Sequence, residues 1–190
     1  LAAILRFWNL GSVPPSASLD EASIGYNAYS ILKTGGDEYG EFPILSHRSY
    51  DDYRRATYLY LVTPFVKILG LNILAVRLPA AILSILTVLA TYFLVKELFR
   101  KSPLANTYSL IVAMLLAISP WHIYISRLGH ESNAYLSFFV FGLLFFLKGL
   151  KNKRRIFLFT LSMLFFTLSM ISYYPGQLFI PLFIIGLFFI

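Results

Sequence analysis

The chain has 190 residues, 58% of them hydrophobic and 13% charged, with a mean hydropathy of +0.71 and no cysteine. Soluble domains carry about 25% charged residues, so these values exclude an ordinary soluble domain, and the missing cysteines exclude disulfides and thiolate metal sites. The net charge of +7 points to no nucleic-acid partner, because the basic residues cluster beside apolar segments as the cytoplasmic loops of a membrane protein do.

The first apolar run, Leu1 to Trp8, reads as the end of a membrane span. There is no signal-peptide pattern and no initiating Met, and the chain ends inside a second run, Leu178–Ile190. The expectation is therefore a fragment cut through a span at each end, with the bare fragment inactive as one outcome. Next comes an acidic region. Of the nine carboxylates, seven lie between Asp20 and Asp52; beyond it stand only Glu97 and Glu131. Asp20 to Lys33 reads as a short amphipathic helix, with Ile24, Ala28, Ile31 and Leu32 as its apolar stripe. Ser18-Leu-Asp-Glu21 fits a capping box and Gly35 a stop. Such a helix is expected to lie on the membrane surface. The turn-rich stretch Thr34 to Gly40 then leads into an irregular segment ending in Asp51-Asp-Tyr-Arg-Arg55.

Tyr58–Leu71 is apolar, but it is short and holds Pro64 and Lys67. Both argue against a full crossing, so the segment is placed in the interface, with a spanning helix as the alternative. Four further segments approach the roughly 20 apolar residues a span needs: Leu78–Leu98, Leu104–Ile118, Tyr135–Leu147 and Ile156–Ile171. Two basic clusters flank them, Lys96/Arg100/Lys101 and Lys148/Lys151/Lys153/Arg154/Arg155. The positive-inside rule makes both cytoplasmic, and two spans between them keep them on one side. Working backwards, residues 9–77 form one long extracytoplasmic loop. It shares its face with the connection Pro120 to Glu131 and the turn Ser172 to Gly176. The second cluster has anionic lipid as its neighbour. The fold expected is an all-α polytopic membrane protein in which 1–8 end the first span, 9–77 carry interfacial amphipathic helices, and 78–190 hold further spans.

On spacing alone, capping is the economical role for Asp20-Glu21, since both acids favour a helix N-terminus. Glu21 suits the box; Asp20 is not required by it, and a carboxylate at the lipid–water boundary is able to act as a general base. Trp121, Tyr124, Tyr173 and Tyr174 fit an aromatic belt first and sugar stacking second. Arg77 reads as an interfacial anchor or as the residue fixing entry to the next span.

Several strings together resemble the first external loop of C-type glycosyltransferases (GT-C). They are Phe7-Trp-Asn-Leu-Gly, Pro14-Pro, Asp20-Glu-Ala-Ser-Ile-Gly-Tyr-Asn-Ala-Tyr and Thr34-Gly-Gly-Asp-Glu-Tyr-Gly. The chain is most similar to bacterial and archaeal relatives of dolichyl-phosphate-mannose protein mannosyltransferases and lipid A aminoarabinose transferases. Ala75-Val-Arg-Leu-Pro-Ala, Ser126-Arg…Glu131-Ser-Asn133 and Ser172-Tyr-Tyr-Pro extend the likeness over nearly the whole chain. The resemblance implies transfer of a sugar from a polyprenyl-phosphate donor to an acceptor (protein, lipid or glycan) on the extracytoplasmic face, with inversion. It casts Asp20, with Glu21 beside it, as the catalytic acid pair and Asp20 as the base. Relatives carry Lys-Pro-Pro-Leu where this chain has Arg54-Arg-Ala-Thr57, so Arg54 stands in for the lysine without the two prolines. Arg54, Arg55 and Arg127 are the candidate donor-phosphate ligands, since guanidinium grips phosphate oxygens bidentately. Glu131, His130 and Tyr173 are further active-site candidates. Some relatives bind a divalent metal; His47, His130, Glu131 and Asp52 offer ligand atoms, although no spacing demands one. The competing class is a transporter or flippase for a lipid-linked or anionic solute, which predicts ionisable residues inside broken spans.

Overall fold

Among the described residues three helices are long and apolar enough to cross a bilayer, and a fourth crossing is reached if one bent pair counts as a single span. The computed structural model describes residues 1–50 and 52–187, so Asp51 of the acidic string and the end of the Leu178–Ile190 run lie outside the described residues. The elements are α1 (Ala2–Phe7), α2 (Leu19–Thr34), β1 (Ser46–Ser49), β2 (Asp52–Arg55), α3 (Ala56–Leu69), α4 (Ile73–Leu98), α5 (Ala105–Ile118), α6 (Pro120–Ser126), α7 (Glu131–Gly149), α8 (Arg155–Ser172) and α9 (Tyr174–Leu187). The protein is an all-α polytopic membrane protein with one small hairpin.

The spans are α4, α7 and α8, of 26, 19 and 18 residues. At 1.5 Å per residue these lengths match a hydrocarbon core about 30 Å thick. Polar contacts join α4 to α7 in a region where water cannot compete: Ser84 Oγ donates to Asn133 Oδ1 at 3.0 Å and Thr87 Oγ1 to Ser137 Oγ at 2.8 Å. Phenylalanines fill the α7–α8 seam, Phe138, Phe141 and Phe145 all meeting Phe165. The expected span at Leu104–Ile118 is a 14-residue helix, followed by a 60° bend into α6. Pro120 explains the resumption, because it is favourable in the first turn of a helix, where no N–H partner is needed.

The segment before α4 is built into the protein. The apolar stripe expected to lie on the membrane surface packs inward instead: Ile24 and Ala28 join Tyr58, Leu59, Val62, Val66, Val76 and Phe138 in one core, with Ile31 partly buried against it. Leu32 stays exposed. Both halves of the capping box form, Ser18 Oγ accepting from Glu21 N at 3.2 Å and Glu21 Oε2 from Ser18 N at 2.9 Å. Gly35 ends α2 at φ 82°, a left-handed conformation that glycine adopts without a Cβ penalty. The stretch read as irregular contains the β1–β2 hairpin, registered Ser46↔Arg55 and His47↔Arg54. At 14 residues α3 is shorter than a span; it buries Leu59 and Val62 while Pro64 and Lys67 stay exposed.

With the bent pair α5–α6 counted as a crossing, alternation puts α2, the hairpin, the α6–α7 connection and the α8–α9 turn at one end of the bundle. Thr57 Oγ1 donates to Ile171 O at 3.2 Å and Tyr174 Oη to Tyr53 O at 2.6 Å, tying the hairpin region to that turn. At the opposite end the two basic loops meet, Lys151 lining the same depression as Glu97, Arg100 and Lys101.

Candidate active site

The two adjacent acids of α2 face different partners because successive helix residues are about 100° apart. Asp20 Oδ1 pairs with Arg54 of β2, and its Oδ2 lies 3.4 Å from His130 Nε2. Both partners are partly accessible, with side-chain exposures of 30% for Asp20, 21% for Arg54 and 29% for His130. Glu21 is buried. Its carboxylate accepts Arg77 Nε at 2.6 Å, Arg77 Nη2 at 3.1 Å, Ser18 N at 2.9 Å and Gly129 N at 3.0 Å. Burial pushes the Glu21 carboxyl up, but the Arg77 hydrogen bond, those of Ser18 and Gly129, and the Arg77 charge outweigh it and hold the group below its usual value.

Arg77 is fully buried. Besides Glu21 it gathers the carbonyls of Leu10 at 3.1 Å, Pro14 at 2.8 Å and Ser16 at 2.8 Å, and so ties the segment before α2 to the first turns of α4. Arg127 does the same from the α6–α7 connection, donating to the carbonyls of Leu5, Trp8 and Val13 at 2.9, 2.7 and 2.8 Å. The residue is 7% exposed, and its Nη1 and Nη2 atoms are taken up by backbone carbonyls.

The hairpin supplies the remaining cations. Cross-strand pairing sets His47 opposite Arg54 on one face of the hairpin, and Ser49 on that face bonds Ser23 of α2. Arg55 points its guanidinium over the Tyr174 ring, 4.4 Å from the centroid. The Nε atoms of Arg54 and Arg55 make no hydrogen bond among the described residues. Tyr173 packs edge-on to His130, with ring centroids 6.1 Å apart, and against Tyr135 at 5.9 Å. His47 is buried with neither ring nitrogen bonded among the described residues. Burial pushes it down to about 4; Asp37 opposes that shift and Arg54 adds to it. Asp37 is also buried, and accepts the N–H groups of Tyr39, Glu41 and Arg48 at 3.0, 3.0 and 3.2 Å, which fixes the turn ahead of the hairpin. Glu131, the first residue of α7, is 7% exposed and near the helix N-terminus. The described residues contain no group of three or more His, Asp and Glu placed to hold a metal ion, so His47, His130, Glu131 and Asp52 are not brought together.

A family model described as dolichyl-phosphate-mannose-protein mannosyltransferase matches residues 57–190, well over half of the chain. The chain belongs to that family. No curated protein and no solved structure matches it. Within this mannosyltransferase family match fall α4, α7 and α8, with Arg77, Arg127, Gly129, His130, Glu131, Tyr173 and Tyr174; Asp20, Glu21, Arg54 and Arg55 precede it. The structure joins the two parts, because Asp20 touches His130 and Glu21 touches Arg77 and Gly129. Of the residues singled out from the sequence, Asp20, Arg54 and His130 meet directly, Tyr173 flanks His130, Arg55 lies along the same hairpin, and Arg127 and Glu131 are buried to one side. The sequence reading missed Arg77 and Gly129 as partners of Glu21. A buried cation at the start of an apolar helix must be paired, and that requirement was the available signal.

Proposed function

We propose that this chain carries the donor-side active site of a membrane glycosyltransferase that uses a sugar on a polyprenyl phosphate, mannose being the sugar in the family's description. The reaction takes place on the extracytoplasmic face, at the end of the bundle away from the two basic loops, with an acceptor hydroxyl as nucleophile. That hydroxyl attacks the anomeric carbon from the side opposite the phosphate, the bond from carbon to phosphate oxygen breaks, and the configuration inverts. The proton of the hydroxyl passes to Asp20. The bonding pair leaves on the polyprenyl phosphate, whose growing charge is met by the guanidiniums of Arg54 and Arg55.

One observation supports this best. Asp20 is a partly open carboxylate with one oxygen on a cation and the other beside an imidazole, whereas Glu21, Asp37 and Glu131 are buried. A general base must reach solvent-side substrate, and the buried acids cannot. Replacing a base costs about 10²–10⁴-fold in rate. Asp20→Asn in the full-length enzyme is expected to lose transfer by that order while inserting normally; wild-type transfer by the variant would sink the assignment. The face is tested by labelling Phe42→Cys, at an exposed site in a cysteine-free chain, with a membrane-impermeant thiol reagent. Reaction only after the membrane is opened from the cytoplasmic side would reverse the topology.

A further inference from the structure

The two acids of α2 meet two consecutive residues of the α6–α7 connection in opposite order. Glu21 Oε1 accepts Gly129 N at 3.0 Å, and Asp20 Oδ2 lies 3.4 Å from His130 Nε2. Gly129 is the rung that permits the approach. A Cβ there would stand 2.5 Å from Val76 Cγ1, 3.1 Å from Val76 O and 3.3 Å from Glu21 Cγ, so a side chain would force the connection away from α4 first and from α2 with it.

His130 is itself fixed. It is the N-cap of α7, and its Nδ1 accepts the backbone N–H of Ser132 at 3.1 Å with the Ser132 hydroxyl 2.9 Å away. A ring nitrogen that accepts from a backbone N–H carries no proton, so in the neutral ring the proton sits on Nε2, the atom facing Asp20. The ring is held from its other side by the Tyr173 edge contact.

We infer that His130 is a positioning residue for the catalytic carboxylate: a fixed-tautomer N–H donor that, with Arg54 on the other oxygen, sets the plane of Asp20 against the acceptor hydroxyl. The inference rests on Asp20 being the base. With its lone pair committed to the α7 cap and its proton on the nitrogen nearest Asp20, His130 has no site to receive the proton that Asp20 takes up, so it is not a relay. The same arrangement turns no ring lone pair toward Asp20 for a shared metal. At 3.4 Å the two groups are in ion-pair contact without a formed hydrogen bond, and catalytic hydrogen bonds often form only when substrate is bound. The acceptor proton ends on Asp20, and the His130 N–H is unchanged over the cycle.

The test uses the full-length enzyme in native membranes that supply the acceptor. Turnover is followed as release of polyprenyl phosphate from a short-chain polyprenyl-phosphate mannose. His130→Ala is expected to lower kcat about 10-fold or more with the donor KM unchanged, while His130→Gln, whose amide N–H reaches near the Nε2 position, recovers most of it. Equal loss in both variants would identify a proton relay or a metal ligand and overturn the inference, as would full turnover in His130→Ala. A second measurement needs neither variant to fold well. In ¹⁵N-histidine-labelled wild-type protein at neutral pH, two-bond proton–nitrogen spectra should give His130 the Nε2–H tautomer; the Nδ1–H form would overturn the inference on its own. Failure of the base assignment has a separate signature, because it appears as retained transfer in Asp20→Asn.

Discussion

Asp20 and Glu21 are neighbours on one helix turn, yet one sits in a partly open pair and the other in a closed one. The Asp20–Arg54 pair leaves about a quarter of each side chain accessible, at 30% and 21%; the Glu21–Arg77 pair leaves 1% and 0%. Chemistry follows accessibility. A buried, fully bonded carboxylate cannot meet substrate, and its value lies in what it ties together: α2, the start of α4 and the α6–α7 connection. An accessible one contributes little to folding and is free to react. The Asp-Glu pair thus sets a buried, fully bonded carboxylate beside an accessible one, and under the proposed function the first holds and the second reacts.

The closed pair should be the costly one to break. Removing one partner of a buried ion pair strands the other charge and costs about 3–5 kcal/mol. Arg77→Ala also orphans the carbonyls of Leu10, Pro14 and Ser16, so it belongs at the upper end of that range. The expected result is a large fall in apparent Tm of the detergent-solubilised protein, with Glu21→Gln milder because the amide still fills the site. An Arg77→Ala protein as stable as the wild type would show that the pair does not hold the three segments.

A pH series separates the closed region further. His47 titrates near 4 when folded against 6.5 when free, so between those values the unfolded chain binds a proton that the folded chain refuses. Its contribution is whole above pH 6.5 and is lost as pH falls to 4. Glu21 adds a second loss: its contribution is whole above pH 4.5 and disappears as pH falls through its lower folded value. Apparent Tm should therefore decline in two stages, and His47→Phe should flatten the first. Parallel curves for variant and wild type would contradict this.

What was legible in the sequence was local. The capping box, the Gly35 stop and the ends of α8 depend on residues within a turn or two of one another, and the charge clusters mark where helices leave the apolar layer. The hairpin was not legible, since Ser-His-Arg-Ser and Asp-Tyr-Arg-Arg show no apolar alternation to signal strands. The stripe on α2 was read correctly as apolar, but its partners in α3 were not legible, because an amphipathic pattern does not say what covers it. The Glu21–Arg77 and Glu21–Gly129 contacts span 56 and 108 positions, and nothing local encodes such pairings. In the candidate site, Asp20 was singled out through family likeness rather than spacing. Its partner His130 stood among the candidates, but its fixed tautomer depends on Ser132 geometry that only the folded chain supplies.

The smallest effect on stability is expected at the open pair, where it is also most informative. Partly exposed ion pairs are worth about 0–1 kcal/mol, so Arg54→Ala should leave apparent Tm nearly unchanged. Its effect on transfer should be far larger and one-sided: donor use falls more than acceptor use, since the role proposed for the guanidinium is to meet the lipid phosphate. Arg54→Lys keeps the charge but loses the planar fork, and should sit between the two. A stability loss in Arg54→Ala as large as that of Arg77→Ala would make the open pair structural after all. A defect confined to the acceptor would move Arg54 to the other side of the reacting bond.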